Sequence, residues 1–564
     1  MGRRPGQKTT AMTSAASALP GTSPASSNAR AAPRRPSWEA FYLETAPLTA
    51  AYWGAALLFS LAFWVTPFPP LIDYPQHVAV GALLRRMADP TSPEQSLYDV
   101  NLVTYNGGFH LLIAALSFIT RPETAGRLLM SIYPPAFAYA ALALTRVASR
   151  PSWYAFLALP ITFSFAAGWG FANYVLSVPF VLLTFAVWLR AHRGEPGQMW
   201  KVMLASFFLS YTHVLATLCL CVMIGLTGFA TFASSNDTLR ARFLALIKLP
   251  LAVWPAVLWS VVVFVRNRYS PHANWEGWDD GYDDPLWRKL LHVTAYSVGN
   301  FSDHTDQVLL TIAAAILIIL WQWPREKTRA EPAMKLLAIT WGVLYCVIPK
   351  VFIATWFIFE RFPTFFWVFT VAATPVALGN FALQRWLKPC AVGLAVAAAI
   401  STVLHFARIP DEEDASAIID EIPEGKRVIA VTWSNTGRPV ILREMWVHLL
   451  AYYQARRSGM IGYSFAKFES MPVHYALGKA PPLIPGGMEW DGAKYDPFAP
   501  YARFWDTVLV RTPDVAPSVD PRARTFRSAA SGVHLLAHHG RFWLYDASVL
   551  RMLTPEGPGD KEPN

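Results

Sequence analysis

Charge is what this chain of 564 residues has least of, for Asp, Glu, Lys and Arg together make up 15% of it, where a soluble globular domain carries about 25%. Cysteine is scarce too. Only Cys219, Cys221, Cys346 and Cys390 occur, all inside apolar runs, which excludes both zinc-ligand spacing and a water-facing disulfide framework and leaves them as small hydrophobes. No repeat of 20 to 50 residues is visible. The C-terminal stretch has neither a Gly-rich phosphate loop nor a nucleophile elbow. Residues 1–47 contain no short apolar core with a small-residue cleavage site, so they read as a disordered tail and not as a signal peptide.

What is abundant is apolar, at 54% of residues, and it is concentrated in runs such as Leu48 to Phe68, Val202 to Ala233 and Val308 to Trp321. A hydrocarbon layer about 30 Å thick needs roughly 20 such residues per helix. The net charge of +10 does not point to nucleic acid, because the lysines and arginines sit in short loops between apolar runs, the positive-inside pattern of a membrane protein. In the tail, Arg3, Arg4, Lys8, Arg30, Arg34 and Arg35 outnumber Glu39 and Glu44, which puts the N-terminus in the cytoplasm and the protein in the cytoplasmic membrane.

The expected architecture is a polytopic α-helical membrane domain over residues 48–408, with about ten to twelve spans and outer loops at 69–101 and 266–306. The arginine pattern requires an odd number of crossings between Asn101 and Arg146, and the apolar run Trp153 to Trp169 reads as a further span. Within the first outer loop Val80, Leu83, Leu84 and Met87, with Arg85 and Arg86 among them, have the spacing of an amphipathic helix at the membrane surface. After Arg408 the composition becomes that of a soluble protein. Strand-like runs Arg427 to Thr432, Thr507 to Arg511 and His534 to Tyr545 predict a small extracytoplasmic α/β domain over residues 409–564, whose helical segment has Met445, His448, Leu449 and Tyr452 at helical spacing.

Candidate chemistry clusters at the outer boundary. Asp73 precedes Tyr74-Pro75-Gln76-His77, where Pro75 starts a helix and leaves the carboxylate in the turn; it can cap that helix or take a proton from an acceptor hydroxyl. Arg361, beside Glu360, suits a lipid phosphate, with Glu360 as an alternative partner for it; Lys350 can bind phosphate too or simply snorkel. His213 in Tyr211-Thr212-His213, and Asn173, are polar groups at helix turns, which either face a cavity or pack the bundle. The loop from Asn274 to Asp284 offers Trp275 and Trp278 for stacking on sugar faces, and Asp279, Asp280 and Asp283 as oxygen ligands for Mg or Mn; an acidic loop is more often simply solvated, and the tryptophans then belong to the aromatic belt.

An acidic residue just after the first span, a helix behind it, many spans and an outer C-terminal domain resemble the GT-C glycosyltransferases that use polyprenyl-phosphate-linked sugars. The phrases Leu71-Ile72-Asp73-Tyr74-Pro75-Gln76-His77 and Leu97-Tyr98-Asp99-Val100-Asn101 are similar to an uncharacterised bacterial branch of that superfamily. The resemblance implies a lipid-phosphate sugar donor, Asp73 as catalytic base or metal-linked acid, and a C-terminal lid. His77, Asn173, His213, Lys350, Arg361, Trp275 and Trp278 then become candidate substrate contacts. The paired acidic motif common in the family is absent here, since Tyr74 follows Asp73. A transporter or flippase of lipid-linked substrates, and an inactive membrane scaffold of the same fold, are the competing readings; a transporter predicts paired repeats and mid-membrane charges.

Overall fold

The computed structural model describes residues 41–234, 238–268, 284–322, 332–352, 355–376, 381–409, 411–433, 445–513 and 519–552. The first apolar run forms α1 (Ala46–Leu61), opened by Thr45, whose hydroxyl accepts the Leu48 amide and satisfies one of the free N–H groups of the first turn. After the proline-rich turn comes α2 (Tyr74–Met87), with Pro75 in its first turn, where its missing N–H does no harm. Next are the short strand β1 (Tyr98–Val100), α3 (Gly107–Leu116) and α4 (Pro122–Val147). The ten residues of α3 rise only about 15 Å, half of what a bilayer demands. Of the segments between 101 and 146 only α4, with 26 residues, has the length to cross, which meets the odd count set by the arginines.

The run 153–169 differs from expectation. It is a 3-10 stretch, Ser152–Ile161, followed by the short α5 (Phe165–Trp169); Pro160 inside it removes a donor that a continuing regular helix needs. Every side chain from Trp153 to Ile161 is buried, so this irregular backbone is enclosed by protein, the setting in which a membrane tolerates it. The bundle continues with α6 (Ala172–His192), α7 (Met199–Thr212), α8 (Val214–Ser234), α9 (Leu239–Arg268), the short α10 (Leu286–Leu291) and α11 (Val293–Ser297), α12 (Thr305–Gln322) and α13 (Pro332–Val347). A two-stranded ribbon, β2 (Val351–Phe352) with β3 (Thr355–Trp356), leads to α14 (Pro363–Ala373) and α15 (Phe381–Phe406). Among the described residues seven helices are long and apolar enough to cross a membrane, and the shorter apolar α3 and α13 stand beside them.

The C-terminal region comprises α16 (Glu412–Glu421), β4 (Arg427–Thr432), α17 (Leu449–Arg457), β5 (Met460–Ile461), β6 (Val473–Tyr475), β7 (Thr507–Arg511), β8 (His534–His539) and β9 (Phe542–Asp546). Its five-stranded sheet runs β5-β4-β7-β9-β8, with β4 parallel to β5 and β7, and β9 antiparallel to β7 and β8. Strand β6 leaves that sheet to pair antiparallel with β1, setting Tyr475 opposite Tyr98.

This pairing changes the place of α2. Every residue from Tyr74 to Leu84 is buried, so the helix does not lie on the membrane surface with one face in water. One side packs on the bundle through Tyr74, Val78, Ala79 and Ala82, and the other meets Phe465, Met471, Val473 and Tyr475 through Val80, Leu83 and Leu84. Apolar periodicity reports a stripe to be covered, but not what covers it.

Candidate functional site

Asp73 stands at the N-cap position of α2, yet its backbone is helical (φ −86, ψ −11) and its side chain makes no capping hydrogen bond. The capping role available to it in the sequence is not the one it takes. Its main-chain N–H donates to the Trp169 carbonyl at 2.9 Å, and its carboxylate lies 3.4 Å from Nε2 of His448. The turn that holds it depends on Gly170, which ends α5 with φ +87; a Cβ there would meet the Tyr74 and Asp73 amide nitrogens at 2.7 and 2.9 Å.

His448 comes from the N-terminal end of α17 and is 4% exposed. Its ring stacks on Tyr463, centroids 4.9 Å apart, and its Nδ1 is buried without a partner. Sequence reasoning placed His448 on a helix but gave it no site role; the only available signal was a titratable residue on an otherwise apolar helical face. The Asp73–His448 contact is braced by Gln76, whose amide donates to the Tyr463 carbonyl at 2.8 Å and accepts from the Phe465 N–H at 3.0 Å. Both ends of one buried side chain thus clamp the C-terminal region to α2. Gln76, His448, Tyr463 and Glu489 line a small, partly open pocket between the two.

Arg361 sits on a 3-10 turn (Phe359–Arg361) and is buried. Its guanidinium donates to the Phe357 and Trp356 carbonyls, both at 3.2 Å, and lies 3.4 Å from Nε2 of His213. The rings of Phe171 and Tyr174 face it at 4.1 and 5.2 Å. Burial pulls its pKa down, opposed by Tyr174, Glu360 and Asp73 in that order. Three of the five guanidinium N–H groups are thereby used, and among the described residues Arg361 forms no ion pair. A buried cation held by carbonyls and aromatic faces, with donors to spare and no carboxylate in contact, is suited to receive an anion.

The structure therefore brings together Asp73, His77, His213 and Arg361. His77 belongs to the same cluster, for its main-chain N–H donates to the Asp73 carbonyl at 3.2 Å and its ring packs edge-on against Phe465 at 5.3 Å. His213 is the single extended residue (φ −163, ψ 119) between α7 and α8, and that break delivers its ring to Arg361. Asn173 takes the packing role, one of the two the sequence left open: its amide accepts the Phe109 N–H at 3.0 Å and donates to the Asn106 carbonyl at 3.2 Å, fastening the start of α3. Lys350 is paired with Asp284 at 3.5 Å and lies over the Phe357 ring, so it is anchored within the protein and does not snorkel. Asp284 also accepts from Tyr296 and Arg288. Glu360 does not pair with its neighbour Arg361; it is 1% exposed with neither carboxyl oxygen hydrogen-bonded, and burial raises its pKa to about 8. Trp275, Trp278, Asp279, Asp280 and Asp283 lie outside the described residues. Among the described residues no group of three or more His, Cys, Asp or Glu side chains could hold a metal ion.

No protein-family model matches the chain, and no curated protein matches it in sequence. Among solved structures it is similar to ArnT from Cupriavidus metallidurans bound to undecaprenyl phosphate, with a TM-score of 0.53 and 11% identity over 89% of this chain and 98% of that one. The expected architecture, a multi-pass helical bundle with a C-terminal sheet region, is the fold observed, and it is the fold shared with that structure.

Proposed function

We propose that a chain with this fold and this cluster is a membrane glycosyltransferase that takes its sugar from a polyprenyl-phosphate carrier at the outer face of the cytoplasmic membrane. The carrying observation is that an uncapped carboxylate, Asp73, bonded through its main chain to Trp169, and a buried guanidinium without an ion pair, Arg361, held by the carbonyl of Phe357 on which Trp169 packs at 4.0 Å, are gathered around one aromatic cluster. The two are 288 residues apart in the chain (361 minus 73). In this reading the acceptor hydroxyl oxygen attacks the anomeric carbon while its proton passes to Asp73. The bond from that carbon to the phosphate oxygen breaks, and the electron pair leaves with the phosphate, which the free N–H groups of Arg361 stabilise. Such a displacement inverts the anomeric centre. His448 holds the carboxylate in line. A divalent cation held by Asp279, Asp280 and Asp283 remains a proposal of the sequence, and no step requires it.

Purified full-length chain in proteoliposomes, supplied with a panel of radiolabelled undecaprenyl-phosphate sugars and membrane glycan extract, should transfer label to the extract. Asp73→Asn should lower the rate by about 10²- to 10⁴-fold, the usual range for a positioned base, without altering folding. Unchanged transfer in that variant sinks the role of Asp73; carrier movement across the bilayer with no transfer by the wild type favours a flippase.

A further inference from the structure

The site contains a histidine pair that the displacement above does not use. His110, one turn into α3 and fully buried, places Nδ1 2.6 Å from the Asn106 carbonyl and Nε2 2.9 Å from Nδ1 of His77. A carbonyl can only accept, so the proton of neutral His110 is on Nδ1 and its Nε2 carries a lone pair. Nδ1 of His77 must then be the donor between the rings. For a neutral His77 this leaves Nε2 as a lone-pair acceptor.

Two further facts bear on where that acceptor stands. Among the described residues no protein group bonds Nε2 of His77, and the ring stands edge-on to Phe109 and Phe465, the latter also 6.4 Å from the His448 ring. Its electrostatic neighbours are His213, which touches Arg361, and His448, which touches Asp73. Burial, with these histidines adding to it, holds the His77 pKa well below the usual imidazole range, in keeping with a neutral ring. The far end of the chain is held as well, because Asn173 binds both the Asn106 carbonyl and the Phe109 amide.

We propose that His77 is a substrate-positioning residue whose Nε2 accepts a hydroxyl hydrogen of the sugar or acceptor, and that His110, fixed by Asn106, is the positioning residue that sets its tautomer. This rests on the transferase reading for the identity of the ligand as a polyhydroxylated one, but not for the tautomer. A ring free to choose would present N–H as well as lone pair and would bind the hydroxyl in two registers. The Asn106–His110–His77 chain removes that choice before substrate arrives, which is preorganisation of the kind that sustains a reactive alignment.

The test uses the full chain in nanodiscs with 15N-labelled histidine, together with the proteoliposome transfer assay. In the wild type the His77 Nε2 resonance should be that of an unprotonated nitrogen, and His110→Ala should turn it into a mixture of tautomers. His110→Ala should lower kcat/KM for the acceptor by about 10- to 100-fold, the scale of a misplaced reactive group, while binding of undecaprenyl phosphate itself stays within about twofold of wild type. His110→Gln, whose side-chain oxygen can still accept from Nδ1 of His77, should restore most of the rate. A proton on Nε2 of His77 in an active wild type overturns the relay, as does equal loss in the Ala and Gln variants. A wild type that transfers no sugar from any donor, yet shows the unprotonated Nε2, overturns the transferase reading and the hydroxyl role with it, while the relay stands.

Discussion

Glu360 shows how the site's surroundings and not its sequence neighbours set the behaviour of a side chain. It is adjacent to Arg361, yet both carboxyl oxygens are buried without hydrogen bonds, and the proton stays on to about pH 8. The folded protein thus holds this proton more tightly than the unfolded chain, where the ordinary value is 4.5. The stabilising contribution is complete below about pH 4.5 and is lost as the pH rises through about 8. Melting curves of wild type and Glu360→Gln between about pH 5 and 9 should diverge, the wild type losing stability towards the alkaline end by a few kcal/mol relative to the variant, since each tenfold difference in proton affinity is worth about 1.4 kcal/mol. Parallel curves would show the carboxyl to be ionised throughout. Arg361→Lys tests the other partner: an ammonium cannot satisfy two carbonyls and His213 with one planar fork. It should therefore weaken undecaprenyl phosphate binding by tenfold or more, on the order of 1.4 kcal/mol, as read by flotation with labelled lipid.

At the level of elements, the position of Asp73 depends on one glycine and one glutamine. Gly170→Ala both strains a left-handed residue, at about 1 kcal/mol or more, and drives a methyl into the Asp73 and Tyr74 amides. The expected result is a folded protein with transfer reduced at least tenfold, a displacement of about 1 Å being enough for a loss of this size. Retention of full activity would mean that the turn has no part in aiming the carboxylate. Gln76→Ala removes two buried hydrogen bonds between α2 and residues 463–465. Leaving a buried carbonyl and a buried amide unpaired costs about 1–3 kcal/mol each, so the variant should melt several degrees lower and expose the C-terminal region to limited proteolysis. The helix α2 had been legible as an apolar-periodic segment, and proline chemistry placed its start at Pro75, one residue after the observed first residue Tyr74. That it is encased, and that Asp73 meets His448, required partners from 370 or more residues downstream (448 minus 73 is 375).

Over the whole molecule, bundle and C-terminal region are knitted at many points. β1 pairs with β6, Arg86 donates to the Gln454 and Ala455 carbonyls, and Arg456 reaches Glu123 at 2.6 Å and Asp420 at 3.4 Å. The described residues from Phe41 on belong to a single compact unit. A region bonded in this way, and supplying His448 and Tyr463 to the pocket, takes a fuller part in the site than a lid resting over it. Arg456→Ala would strand the largely buried Glu123 carboxylate and should destabilise the full-length chain by about 1–3 kcal/mol, measurable as a lowered midpoint of thermal unfolding in detergent; no change would show the link to be ornamental to stability.

The amino-acid sequence by itself determined the local and compositional facts. Runs of apolar residues must leave water, so the bundle was readable; so were β4 and β7, whose bounds match the strand-like runs Arg427 to Thr432 and Thr507 to Arg511, and the break at His213. It also singled out Asp73 and Arg361, because charge at a membrane boundary is conspicuous. What only the tertiary structure decided was company: His448 beside Asp73, His213 on Arg361, His110 behind His77, and Lys350 paired with Asp284. Such contacts join residues tens to hundreds of positions apart, and periodicity and capping rules act over a few residues. They have no reach across that distance, whereas packing does.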